Sequence, residues 1–317
     1  MTRAKAPKLP KFTVYDFNRL FPNDEACLDF ILGSLYPDGV TCRKCGRVTK
    51  HHRLNGRKAY SCQECGTHVY PLAGTIFAKS ETSLKSWFYA MFIMASTRCG
   101  VSAKQLEREL GVTYKTAWRM FKQIRLLLSQ DPAELFSGEV EADEAYIGGM
   151  GKWKHASKRG HEAAFSSKTP VFGMAQRGRD GQAGRVVAQV VEAVSTPSIL
   201  PRLKTRVLPE SMIYTDEGNA FDGVKKQGYQ HRRVNHSASV YVDGDVHVNT
   251  IEGFWSLVKS GIRGAHHSVS AKYLQAYLDE YAFRYNHRDG DLPMFGAIAD
   301  QVSSVRYGDY GKYQPID

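Results

Sequence analysis

No long apolar run occurs in the sequence. Its longer apolar stretches, such as residues 89–95, are far short of the roughly 20 residues a bilayer-spanning helix needs. The opening residues, MTRAKAPKLPKF, are basic and carry no apolar centre of the kind a secretory signal requires. Both features predict a cytoplasmic protein with no membrane partner. Cysteine is sparse: six in 317 residues exclude a disulfide scaffold, and four of them fall in two tight pairs, which points to metal in a reducing compartment. No His-Glu-x-x-His or His-x-Glu spacing offers a catalytic zinc site, and no Ser or Tyr nucleophile motif is visible. Acid is scarce only in the front half. Residues 1–138 hold 21 Lys/Arg against 11 Asp/Glu, whereas residues 139–317 hold 22 against 21. Nearly all of the net charge of +11 therefore sits at the front, where it would attract a polyanion, and the back half keeps carboxylates for chemistry. Apolar residues at 42% and charged residues at 24% exclude a disordered chain, and the length leaves room for two or three domains.

The paired cysteines are Cys42-Arg-Lys-Cys45-Gly46 and Cys62-Gln-Glu-Cys65-Gly66. Two such turns brought together supply the four soft ligands of a tetrahedral zinc, and a Gly after each second Cys suits backbone wrapped around a thiolate. This is the zinc-ribbon pattern, with residues 58–60 as a strand between the turns. His51, His52 and His68 are rival ligands, but four sulfurs already complete the shell. Cys27 and Cys99 stand alone in apolar surroundings and read as core residues. Arg43, Lys44, Arg47, Lys50, Arg53, Arg57 and Lys58 ring the ribbon, and this basic density suits contact with DNA phosphates.

Residues 83–96 are apolar at helical spacing. Beyond them a short helix ending at Leu110, a Gly111 turn, Thr113 as N-cap and a second helix reaching Ile124 outline a helix-turn-helix. Ala103, Leu106, Leu110, Val112, Ala117, Trp118 and Phe121 would pack the pair, leaving Tyr114, Lys115, Arg119 and Lys122 to face DNA. A plain helical linker is the competing reading. Asp131-Pro132 and Ser137-Gly138 mark the next boundary.

The back half alternates between strand and helix patterns. Residues 139–147, 171–177 and 185–194 read as strands, 197–207 as a helix, 212–216 as a strand, 219–227 as a helix, 231–235 as a strand and 249–260 as a helix. That order is the order of an RNase H-like α/β domain. Asp143 falls on the first strand, Asp216 at the end of the fourth, and Glu252 in the last helix. Three carboxylates from three elements are able to hold two Mg²⁺ ions for an in-line phosphoryl displacement. Asn249, Glu252, Ser256 and Lys259 recur on one helix face, with Lys259 placed to hold a DNA phosphate. Glu139, Glu141 and Glu144 surround Asp143, and Glu217 follows Asp216, so any of these is a rival ligand or a surface charge. Residues 148–168, rich in Gly, Lys, Arg and His, read as a loop that either lies over DNA or is a disordered insertion. His236 reads either as a neighbour of the metals or DNA or as a structural histidine.

Several blocks together carry a family resemblance: Gly74-Thr-Ile-Phe77, Glu141-Ala-Asp-Glu-Ala-Tyr-Ile-Gly-Gly149, Tyr214-Thr-Asp-Glu-Gly218, His247-Val-Asn-Thr-Ile-Glu-Gly-Phe-Trp-Ser-Leu-Val-Lys259 and Tyr281-Ala-Phe-Arg-Tyr-Asn-His-Arg288. The chain resembles bacterial insertion-sequence transposases of the ISXO type, relatives of the Merlin transposons, over residues 20–290. The resemblance implies a DDE transposase that cuts at terminal inverted repeats and joins freed 3′ ends to target DNA. By position it carries Asp143 and Asp216 onto the family's two aspartates. The third position is open between Asn249 and Glu252, with Glu252 preferred because a carboxylate binds Mg²⁺ or Mn²⁺ better than an amide. The expected organisation is a helical segment and zinc ribbon in 1–78, a helix-turn-helix region in 79–137, the RNase H-like DDE domain in 138–290 and a helical tail in 291–317. A homo-oligomer on paired DNA ends and a nucleoid-associated location follow from the same reading. Two alternatives stay open: a non-catalytic DNA-binding regulator derived from a transposase, and an RNase H-like nuclease or resolvase that cuts without joining.

Overall fold

The computed structural model describes residues 12–97, 99–129, 135–148, 168–178, 184–216, 218–234, 247–289 and 292–305. These residues form two compact units, one running from Ser129 to Asp289 and the other holding 12–128 together with 292–305.

The front unit begins with two short helices, α1 (Val14–Leu20) and α2 (Asp24–Leu35). Each is started by its own cap: Thr13 and Asp16 form a reciprocal capping box, and the Asn23 side chain accepts from the Ala26 amide. Phe17 and Phe21 of this segment pack with Phe88 and Phe92 of α3 (Leu84–Ser96). Phe295 of the last helix, α9 (Met294–Asp300), joins the same cluster and stacks on Phe12 at 4.8 Å. The C-terminal segment thus returns to the front unit and is built into its core.

A small antiparallel sheet, β1 (His51–Arg53), β2 (Tyr60–Cys62) and β3 (His68–Val69), carries the cysteine turns. It is tied to α2 through Asp29, which accepts from both Arg53 and the Tyr60 hydroxyl, while Glu25 pairs with Arg53 at 2.7 Å. Then come α4 (Ala103–Leu110) and α5 (Tyr114–Leu128). Gly111 turns the chain between them in the left-handed region, at φ 63°, which favours glycine. Thr113 caps α5 through the Thr116 amide. Cys27 is buried as expected, but Cys99 is exposed, because α3 ends at Ser96 and the thiol falls in the connection to α4.

The back unit is a five-stranded sheet in the order β6-β5-β4-β7-β8. The strands are β4 (Glu139–Ile147), β5 (Thr169–Gln176), β6 (Val186–Val190), β7 (Met212–Thr215) and β8 (Gln230–Arg233). β4, β5 and β6 form an antiparallel meander, and β7 and β8 add in parallel on the other side of β4. Strand alternation sorts the side chains. Val140 and Ala142 pack with Ile199 and Leu203 of α6 (Thr196–Arg206) on one face. Ala145 and Ile147 pack on the other face with α7 (Asn249–Gly261) and α8 (Ala271–Asn286). The expected helix at 219–227 is instead two 3-10 turns, Asn219–Phe221 and Lys225–Gln227, separated by the Gly223 region, where a Cβ would meet Leu200 at 2.6 Å.

Gly173 of β5 lies opposite Asp143 of β4. The Trp255 ring occupies the space above it, and a Cβ at Gly173 would come within 2.4 Å of that ring. The close approach lets α7 lie directly on the centre of the sheet.

Candidate active site

The front unit holds one of two metal-type clusters found among the described residues. Cys42, Cys45, Cys62 and Cys65 lie with all four Sγ atoms within 4.8 Å of one another, close enough to share one ion. The two turns are built alike. The Gly46 amide donates to the Cys42 carbonyl at 2.9 Å and the Gly66 amide to the Cys62 carbonyl at 3.0 Å, with both glycines at positive φ. Thr49 Oγ1 is 3.1 Å from Cys62 Sγ, and this contact pulls the thiol down to about 6, toward the thiolate that zinc requires. Donor type and geometry fit a structural zinc. His52 and His68 are exposed, and His51 Nδ1 faces the Thr49 carbonyl at 2.9 Å, so the sulfurs form the cluster without them.

The second cluster lies in the back unit and joins Asp143, Glu144 and Asp216, whose carboxylate oxygens also fall within 4.8 Å of one another. Asp143 projects from β4 toward α7, where the Trp255 Nε1–H donates to its Oδ2 at 3.1 Å. Asp216 follows the last residue of β7 and is oriented by the Gly218 amide, which donates to its Oδ1 at 2.9 Å. Behind it, Thr215 donates its hydroxyl to the Asp216 carbonyl at 2.8 Å and faces His231 Nε2 at 2.9 Å. Burial, together with Arg233 and Lys225, pushes His231 down to about 4, so it braces this strand end as a neutral ring.

Burial pushes Asp143 up to about 7, with the charges of Glu144, Asp216 and Glu252 adding to the effect. Glu144 is pushed up to about 7 by burial and by Asp216. One of its oxygens, Oε2, is buried with no hydrogen-bond partner. Crowded, desolvated carboxylates with a spare oxygen are costly alone and are what a hard divalent cation relieves. The residues fit such an ion.

Glu252 is exposed on α7, and its charge acts on Asp143, but its carboxylate is outside the three-acid cluster. Asn249, Ser256 and Lys259 are likewise exposed on that helix. Glu144, which strand alternation sets on the opposite face from Asp143, joins the site because β7 pairs with β4 only as far as Glu141, leaving the strand end open. Glu217, His236 and residues 149–167 lie outside the described residues.

Of the positions expected to meet DNA, Arg43, Lys44, Tyr114 and Lys115 are exposed and Lys122 is half-buried. Arg119 is differently placed: its guanidinium donates to the Ala78 and Lys79 carbonyls at 2.6 and 3.1 Å. Arg53 is occupied by Glu25 and Asp29.

Residues 135–286 match the ISXO2-like transposase domain, and residues 22–68 match the transposase zinc-ribbon domain. The chain is 28% identical to a protein in transposable element ISH50 of Halobacterium salinarum, over 278 residues that cover 84% of this chain and 92% of the relative. It is 27% identical to a transposase-like protein of Haemophilus influenzae over 105 residues, 33% of this chain and 84% of that one. A zinc ribbon followed by an acid-bearing α/β domain thus places the chain among the transposases. Within them it carries an ISXO2-like transposase domain over residues 135–286, after a transposase zinc ribbon. No helix among the described residues is long and apolar enough to cross a membrane.

Proposed function

We propose that this transposase binds the terminal inverted repeats of its element, cleaves DNA strands there in Mg²⁺ or Mn²⁺, and joins the freed 3′ ends to target DNA. The observation that carries the reading is the convergence of Asp143, Glu144 and Asp216, with a partnerless buried oxygen on Glu144. The sheet supports it too. A three-strand antiparallel meander extended by two parallel strands is the strand order of an RNase H-like fold, with the acids at the open end of its central parallel pair.

Asp143 and Asp216 would hold the cations, with Glu144 and the Glu252 face of α7 completing the oxygen donors. A divalent pair so held would activate the attacking oxygen, first of water and then of a 3′-hydroxyl, and neutralise charge on the leaving oxygen. Trp255 and the Gly218 amide fix the directions of the two aspartates. Lys259, exposed on the same helix as Glu252, would draw a DNA phosphate toward the acids, and Asn249 would contact the same backbone. The α4–Gly111–α5 pair supports a helix-turn-helix reading in which Tyr114 and Lys115 meet DNA beside the exposed Arg43 and Lys44 of the ribbon. Joining two ends favours a homo-oligomer on DNA.

The test is cleavage and joining of end DNA in Mg²⁺ by Asp143→Ala, Asp216→Ala, Glu252→Ala and Asn249→Ala, each checked for folding. Loss of both steps in the aspartate variants supports the assignment, and full activity in Asp143→Ala ends it. A cleaved product that never becomes joined would favour the nuclease alternative. Metal-independent binding with no cleavage would favour the regulator.

A further inference from the structure

Helix α7 has no cap of its own. Val248 precedes it and offers no side-chain acceptor, so the amides of the first turn need a partner from elsewhere. Glu141 of β4 supplies it. Its Oε2 accepts from the Thr250 amide at 2.8 Å and the Ile251 amide at 3.0 Å, the second and third residues of the helix, which are the donors that an N-cap side chain ordinarily takes. Its Oε1 accepts from the Thr250 hydroxyl at 3.0 Å and from Arg177 Nε at 2.8 Å, with His247 Nδ1 at 3.2 Å. The side chain is fully buried. Arg177 is held in turn by Glu139 at 3.0 Å, by the His247 carbonyl at 2.6 Å and by the face of Tyr214 at 4.0 Å.

The arrangement has a consequence for the acids. Glu141 and Asp143 are two residues apart on one face of β4, about 7 Å along the strand. Their partners on α7, the Thr250–Ile251 amides and Trp255, are four to five residues apart, about 6–8 Å along the helix. The spacings match, so two contacts pin the helix alongside the strand. Glu252 lies between them in sequence.

We propose that Glu141 is a positioning residue: by capping α7 from β4 it sets where the exposed face bearing Asn249, Glu252 and Lys259 stands relative to Asp143. The proposal rests on the metal-binding reading of the acids. It differs from a general stabilising role in requiring that metal affinity follow the state of the cap. Glutamine is nearly isosteric, but whichever way its amide turns, an NH₂ faces donors, and the cap is lost in part.

Full-length wild-type protein, Glu141→Gln and Glu192→Gln are compared by amide exchange over residues 249–255, by Mn²⁺ binding followed with electron paramagnetic resonance, and by Mg²⁺ titration of DNA cleavage. In E141Q, exchange protection at Thr250 and Ile251 should fall roughly tenfold, the worth of a helix cap. Metal affinity should weaken about tenfold, the usual scale for groups that orient ligands. DNA affinity should not change, and E192Q, at an exposed carboxylate of the same unit outside this network, should stay within about twofold of wild type throughout. Unchanged exchange, or altered exchange with wild-type metal affinity, overturns the proposal. A wild type that binds Mn²⁺ but cuts no DNA refutes the transposition reading, while the first two measurements still decide the role of Glu141. A wild type that binds no Mn²⁺ refutes both. Should E141Q fail to fold, E141Q/R177M, which also removes the buried cation, is read in the same way.

Discussion

At the scale of single residues, the acid cluster makes a definite prediction about pH. Asp143 is raised from its ordinary 3.8 to about 7, so the folded chain binds a proton there that the unfolded chain has lost. Stability of the metal-free protein should therefore fall as pH rises from about 4 to about 7, and the whole penalty stands above that range. Asp143→Asn keeps an acceptor for Trp255 and removes the charge. In buffer without Mg²⁺ or Mn²⁺ at pH 8 it should melt several degrees above wild type, since about 1 kcal/mol is worth 2–4 °C in a unit of this size. At pH 4 the two should melt together. Differential scanning calorimetry reads both, and a wild-type melting curve for D143N at pH 8 contradicts the prediction. Asp216 is legible in the sequence because a strand end followed by a turn is a recognisable place for an acid, and Asp143 because it lies inside the first strand of the same series. Glu144 is legible only as one of several rival acids, since strand alternation turns it away and only the short β4–β7 pairing brings it back. The capping role of Glu141 is not legible, because its helix partners lie more than 100 residues downstream.

At the scale of elements, the contact between α7 and β5 depends on Gly173. Gly173→Ala would drive a Cβ into the Trp255 ring, so α7 must lift or the indole must turn. Overpacking of this kind costs about 1–3 kcal/mol. Cleavage should suffer more than stability does, because Trp255 also holds Asp143, and a thermal melt measured beside a cleavage assay separates the two effects. Equal small losses in both would argue that the indole contact is only structural. Most elements are readable from apolar periodicity: β4 matches its expected limits, and α3, α6 and α7 lie within a residue or two of theirs. Helix α8 escapes that reading, since its buried residues include Tyr277, Tyr281, Glu280 and Arg284, and tyrosines with an internal ion pair blur the apolar stripe. Helix α5 is legible in outline, but Arg119 is not legible as a backbone anchor, because its partners at Ala78 and Lys79 come from a distant turn. Arg119→Ala should therefore lower the melting temperature as well as DNA affinity, whereas Lys115→Ala should lower DNA affinity alone.

At the scale of the whole molecule, the charge asymmetry predicts binding dominated by phosphates. End-DNA affinity should drop steeply with salt, with a slope near −0.9 per phosphate neutralised. Exchanging Arg43 and Lys44 for Ala should flatten that slope, and a binding isotherm measured at several salt concentrations tests it. The C-terminal helix is part of the front unit, so its effect should appear there. Phe295→Ala, which removes a ring stacked among Phe12, Phe17 and Phe21, should cost about 3–5 kcal/mol of that unit's stability. Residues 292–302 read as helical in the sequence and hold α9, but their address is not legible, because one short apolar stripe says nothing about which core it enters. Stripping zinc should unfold the ribbon, whose small core cannot stand without the ion, and end-DNA affinity should fall with it. The measurement that bears most directly on the whole account is strand cleavage of end DNA in Mg²⁺ by folded Asp143→Asn and Asp216→Asn proteins. The account predicts that DNA is still bound and that cutting falls by about 10³ or more, the scale of a lost metal ligand set. Cutting at the wild-type rate by either variant would contradict it.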